Sequence, residues 1–198
     1  MGADFDEISG IDRRPDRTAA LAAWFQGLFQ SDPPVLVGGG AVELYTAGAY
    51  VTGDLDFVGR LTDSVKVELR KAGFQQRGPH WVHEDAKVFL ELRGSSLGAG
   101  ERAVELRMRQ WVVHVVSPED ALIDRLAAWK HWRSSVDGVS AFLIWKQQGA
   151  VIDAARLRAG ARREHVADAL DEVLEFSRRV GDRIPTEEEV RAWAERER

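Results

Sequence analysis

The sequence predicts an α+β protein, with a mixed-sheet domain over residues 1–116 followed by a helical half over 117–198. Three observations carry this. Short apolar runs alternate with helix-like stretches up to Val116. The character changes at Ser117, after which the pattern is helix upon helix. Between them, "VGGGAVELYTAGAYVTGDLDFV" puts three glycines after one apolar run and two aspartates, one residue apart, in the next.

The elements follow in order. "DRTAALAAWFQGLFQ" sets Leu21, Trp24, Phe25 and Leu28 on one helical face, with Asp16 as its predicted N-cap, and "SDPP" ends it. Val35–Val37 is a buried strand. "AVELYTAG" is a helix stopped by Gly48, and "YVTGDLDFVG" is a strand. "TDSVKVELRKAGF" is a helix capped by Thr62 or Asp63 and closed by Gly73. Strands are predicted around "QQRG", "HWVH", "KVFLELRG" and "WVVHVV", with "EDAK" as the turn between the second and third. "SPEDALIDRLAAWKHW" opens the second half with Ser117 as N-cap, Pro118 in the first helical position and Asp120 at the box position. Val166, Leu170, Val173 and Leu174 mark a later amphipathic helix, and Val190 and Trp193 the last one.

Composition narrows the function. There are no cysteines, which excludes disulfides, thiolate metal sites and cysteine nucleophiles. No apolar run reaches the roughly 18 residues that span a bilayer, and the first residues lack a signal-like apolar core. A cytoplasmic protein with no membrane partner is expected. The net charge of -5 argues against broad binding to nucleic acid. The stretch from Arg60 to Arg133 nonetheless holds 13 Lys/Arg against 10 Asp/Glu, so the middle of the chain can face an anion.

The glycines and aspartates suggest chemistry. Gly38, Gly39 and Gly40 lead from strand into helix, where exposed N–H groups favour phosphate. A tight turn needing positive φ explains the same glycines without a ligand. No Lys-Ser/Thr follows them, and the G-x-G-x-x-G spacing is absent, so neither a Walker loop nor a dinucleotide fingerprint is present. Alternation along a strand puts Asp54 and Asp56 on one face, with Leu55 and Phe57 turned to the core. Neighbouring carboxylates repel unless a cation lies between them, and Mg²⁺ is commonly held by carboxylates together with substrate phosphates.

Taken together, these residues resemble the signature of the nucleotidyltransferase superfamily, the DNA polymerase beta-like fold. That signature is a hydrophobic residue, Gly, Gly or Ser, a helix, and an acid-x-acid pair on the next strand. Thr52 and the "EDALIDRLAAWKHW" helix are similar to a small bacterial branch related to abortive-infection toxin and antitoxin nucleotidyltransferases. The resemblance spans Val35 to Trp132.

It implies a Mg²⁺- or Mn²⁺-dependent enzyme that moves a nucleoside monophosphate from a nucleoside triphosphate to a protein hydroxyl, an RNA end or a small molecule. A cognate toxin or antitoxin is implied as a partner. Asp54, Asp56 and Glu91 are the implied metal ligands and catalytic residues. Gly38, Gly39, Gly40 and Thr52 are the implied nucleotide-binding set; the resemblance assigns no individual roles on the later helix, where the functional reading adds Arg125 and Lys130 near the triphosphate and Trp132 near a base. Glu91 lies among alternating Val88, Leu90 and Leu92, so the competing reading makes it an ion-pair partner of Arg93 or Arg107. For the helix, the competing readings pair Asp124 with His131 and spend Arg125 on a carboxylate. His80, His83 and His114 show no ligand-like pattern. The alternative for the whole chain is a catalytically inactive interaction or nucleotide-sensing module of the same fold.

Overall fold

The computed structural model describes residues 4–195. It divides into two compact units, the first ending at Ser117 and the second beginning at Pro118.

The first unit contains a seven-stranded mixed sheet. In chain order its strands are β1 (Val35–Val37), β2 (Leu55–Val58), β3 (Gln75–Arg77), β4 (His80–His83), β5 (Val88–Leu92), β6 (Ala103–Met108) and β7 (Trp111–Val116). Their spatial order is β3-β4-β5-β2-β1-β7-β6. The pairs β2/β5 and β1/β7 are parallel and the others antiparallel. The first-unit helices are α1 (Phe5–Ser9), α2 (Asp16–Gly27), α3 (Gly38–Tyr45) and α4 (Asp63–Lys71).

Alternation decides which sheet face is core. Leu36, Leu55, Phe57, Trp81, Leu90, Val113 and Val115 are all buried. The registers Leu36↔Phe57, Leu36↔Val115, Leu55↔Leu90 and Trp81↔Leu90 put six of them on one common face, and Val113, two residues before Val115, joins them. Helix α2 is locked to this sheet through Gln26, whose Nε2 donates to the Pro34 and His114 carbonyls at 2.8 and 2.6 Å. Phe25 meets Phe57 at 4.7 Å between ring centroids, and Phe5, Trp24, Phe74 and His83 form a second aromatic cluster.

Several local expectations change. Asp16 is the first residue of α2 rather than its cap; the N-cap position is Pro15, which has no side chain to offer. The Asp16 carboxylate instead pairs with Arg13 and Arg109 at 2.8 and 2.7 Å. Helix α3 begins at Gly38, so the glycines are its first turn. Strand β2 is shorter than expected: residues 46–54 form a loop and pairing starts at Leu55. Thr62 is the cap of α4, accepting from Val65 N–H at 3.4 Å.

The second unit is helical among its described residues: α5 (Pro118–Trp132), α6 (Ser135–Gln148), α7 (Ala154–Arg163), α8 (Ala167–Val180) and α9 (Glu187–Ala194). Its core is aromatic, with Trp129, Phe142, Phe176 and Trp193 in mutual ring contact at 4.5–6.0 Å. Trp129 Nε1 donates to the Ala194 carbonyl at 2.9 Å, which ties α9 back to α5. Asp120 is spent on Arg156 of α7. No helix among the described residues is long and apolar enough to cross a membrane.

Candidate functional site

The site is built on β1, α3, β2 and β5. Val37, the last residue of β1, stands opposite Asp56 in antiparallel register, and Asp56 stands beside Glu91 in parallel register. These three positions therefore share the sheet face opposite the core. Asp54 lies just ahead of β2, at the end of the 46–54 loop.

The glycines explain how closely the parts approach. Gly38 has φ +59, and a Cβ built there would lie 2.6 Å from Asp56 Oδ2. A Cβ on Gly39 would lie 2.6 Å from Thr52 Oγ1. Any side chain at either position would collide with the acid loop, so the missing side chains allow a helix N-terminus to abut the carboxylates. Val37 gives α3 no side-chain cap, and no acid stands in its first turn. The free N–H groups of that turn make a place where phosphate is favoured. Gly38→Ala is expected to cost about 1–2 kcal/mol for the left-handed backbone and to displace Asp56 as well. A denaturant melt with a nucleotide titration checks this, and an unchanged melt would refute it.

Thr52 and Glu43 fix the loop. Thr52 Oγ1 donates to Asp54 Oδ1 at 2.9 Å. Thr52 N–H donates to Glu43 Oε2 at 3.0 Å. Glu43 is fully buried on α3 and also accepts from Arg14 Nη1, at 3.1 and 3.0 Å to its two oxygens, and from Thr18 Oγ1 at 2.7 Å. Glu43 thus connects α2, α3 and the acid loop. Sequence reasoning missed it, although a Glu within the apolar "AVELY" run was a signal.

Asp56 is the electrostatic centre. Burial pushes its carboxyl above the ordinary value of 3.8, neighbouring Asp54 and Glu91 push it further, and Arg93 pulls it back. Arg93 Nε lies 3.0 Å from Asp56 Oδ1. That contact is a charge contact without hydrogen-bond alignment: Oδ1 is buried and has no hydrogen-bond partner among the described residues. Glu91 Oε2 lies 3.3 Å from Arg93 Nη2 and 3.6 Å from His80 Nδ1. The ion-pair reading of Glu91 therefore has a concrete partner in Arg93, not Arg107.

A divalent cation fits the donor set. The acids are hard oxygen donors, they repel one another, and one buried oxygen lacks a hydrogen-bond partner. As arranged here, however, no three His, Asp or Glu side chains among the described residues converge on one point. Asp54 is turned to Thr52, and Glu91 to Arg93 and His80. Glu105, a further acid on β6, is separated from β2 by β1 and β7.

Arg125 and Lys130 lie on α5 in the second unit. Arg125 pairs with Asp124 and, at 2.6 Å, with Asp137. Lys130 Nζ reaches Asp168 Oδ1 at 2.6 Å and the His165 carbonyl at 2.8 Å. Trp132 is 83% exposed.

Among solved structures, the chain is similar to an antigenic nucleotidyltransferase-like protein from Paracoccidioides brasiliensis. The match has a TM-score of 0.54 at 16% identity and covers 87% of this chain and 94% of that one. The fold is nucleotidyltransferase-like. No family model matches the sequence, and no curated protein does. Within that fold, the glycine start of α3 and the acids of β2 and β5 are adjacent on one face of the central strands.

Proposed function

We propose that the protein transfers a nucleoside monophosphate from a nucleoside triphosphate to an acceptor hydroxyl on a protein, an RNA end or a small molecule. The observation that carries this reading is the close approach of Gly38 to Asp56, 2.6 Å from a virtual Cβ to Oδ2, which sets anion-binding amides against carboxylates. Amides of Gly38, Gly39 and Gly40 bind the outer phosphates. Asp54, Asp56 and Glu91 would hold Mg²⁺ or Mn²⁺, which when bound supplies positive charge at the attacking and leaving oxygens. Thr52 holds the Asp54 carboxylate, and Glu91 orients the acceptor hydroxyl. The bond from acceptor oxygen to the α-phosphorus forms as the bond from that phosphorus to the bridging oxygen breaks. Pyrophosphate leaves, and the acceptor proton passes to a carboxylate of the cluster. A toxin–antitoxin pair is the proposed setting.

The Arg93 contacts with Asp56 and Glu91 favour a second reading, a nucleotide-sensing module that binds without turnover. Incubation with α-labelled nucleoside triphosphates, Mg²⁺ and each acceptor class separates the two. Label transfer with pyrophosphate release is expected. Metal-dependent nucleotide binding with no pyrophosphate for any nucleotide or acceptor would establish the second reading instead.

Glu91→Gln is expected to keep nucleotide binding and to lower turnover by orders of magnitude, since the hydroxyl it orients reacts only in the transition state. Its ion pair is with an Arg93 side chain that is 57% exposed, so the melting temperature should hardly change. An unchanged rate would remove Glu91 from the chemistry.

A further inference from the structure

The Arg93 guanidinium bridges the two acids that stand directly side by side in the sheet. Its Nε is 3.0 Å from Asp56 and its Nη2 is 3.3 Å from Glu91. Its position is fixed by the sheet: Arg93 N–H donates to the Phe57 carbonyl at 2.6 Å, extending the β2/β5 pairing one residue past Leu92. The backbone is thus anchored, while the side chain is 57% exposed, donates from Nη2 to Glu91 Oε2 at 3.3 Å and meets Asp56 through charge. Asp56, by contrast, is 6% exposed and cannot leave. Of the three groups, the arginine head is the most exposed.

The arrangement has an electrostatic reason. Asp56 and Glu91 stand side by side with Asp54 just ahead of them, and Asp56 is buried where water screens their repulsion poorly. A cation between them offsets that repulsion. The arginine supplies one positive charge, spread over a planar group that cannot complete an oxygen coordination shell around itself. A divalent ion supplies two and is held by the same oxygens.

We infer that Arg93 is a resident counter-ion of the acid cluster, which a divalent metal must displace before Asp56 and Glu91 can act together as ligands. This rests on reading the acids as a metal site. The displaced guanidinium, still anchored at its backbone beside the site, is placed to meet the negative charge that arrives with the nucleotide. Arg93 is therefore a positioning residue: it makes metal binding weak without nucleotide and strong with it, because the phosphates supply both the missing metal ligands and a new partner for the arginine. Metal entry and nucleotide entry become coupled, and without a metal the arginine offsets part of the acids' charge.

Mn²⁺ titration followed by electron paramagnetic resonance, with the full chain and no nucleotide, tests this. Arg93→Gln is expected to bind Mn²⁺ more tightly than wild type by on the order of tenfold or more, since one competing positive charge is removed. Arg93→Lys, which keeps the charge, should stay near wild type. A non-hydrolysable nucleoside triphosphate should tighten Mn²⁺ binding strongly in wild type and much less in Arg93→Gln. Equal Mn²⁺ affinity of wild type and Arg93→Gln would overturn the inference and leave Arg93 as a surface ion pair. Equal tightening by Arg93→Lys and Arg93→Gln would also overturn it. If neither wild type nor Arg93→Gln binds Mn²⁺, with or without nucleotide, while both melt cooperatively, the metal reading itself is lost and the inference with it.

Discussion

Glu43→Ala is expected to destabilise the first unit by about 3–5 kcal/mol, the penalty for breaking a buried, hydrogen-bonded ion pair from one side. Domains are held by roughly 5–15 kcal/mol in total, so this is a large fraction. Four hydrogen bonds to a residue with no exposure would be lost, from Arg14 Nη1 to each oxygen, Thr18 Oγ1 and Thr52 N–H. The Arg14 guanidinium would lose its carboxylate partner, and the Thr52 amide would be buried without an acceptor. Because Thr52 also holds Asp54, the acid loop should loosen with the fold. Urea unfolding followed by tryptophan fluorescence measures the first effect. Amide exchange at Thr52 and Asp54 measures the second. A stability loss under about 1 kcal/mol, the net value of a single ordinary hydrogen bond, would show that Glu43 is not the keystone of this loop.

Asp56→Asn is expected to remove transfer activity while leaving the fold intact, and to change the pH dependence of stability. The folded carboxyl titrates above its ordinary value of 3.8, with burial as the leading cause. Between 3.8 and that raised value, the folded state keeps a proton that the unfolded chain has released. Stability therefore falls as pH rises through this window and stays lower above it. Asparagine has no proton to lose, so the variant should lack this fall. At neutral pH it should be as stable as wild type or more so, since the lost partner Arg93 is mostly exposed and contributes little. Chemical denaturation at a series of pH values tests it. Parallel stability curves for the two proteins would mean that the burial of Asp56 carries no cost, and retained turnover would take it out of the site.

Much of this was readable from residues alone. The alternation of Val88, Leu90 and Leu92 placed Glu91 on the polar face, and the register with Asp56 agrees. Leu122, Leu126 and Trp129 recur at helical spacing along α5, and all three are buried. What escaped depends on distance along the chain. Glu43 meets Arg14 across 29 residues and Thr52 across nine, and no local pattern encodes such a pairing. The same bond explains why β2 is short: Thr52 N–H goes to Glu43, so the strand starts only at Leu55. Strand β6 was largely overlooked because it lies at an edge with an exposed alternate face of Ala103, Glu105 and Arg107. Pro15 displaced Asp16 from the cap because it sits one residue earlier, and the released carboxylate found Arg109, 93 residues away.

The register of β1, β2 and β5 has a further consequence. Leu36↔Phe57 and Leu55↔Leu90 bury their side chains in one layer, while Val37↔Asp56 and Asp56↔Glu91 fall on the opposite face. A slip of one residue in either pairing would drive a carboxylate into the apolar layer and expose a leucine or phenylalanine in its place. Hydrophobic sorting of the two sheet faces thus selects the pairing that puts Asp56 and Glu91 side by side, whether or not a ligand is present.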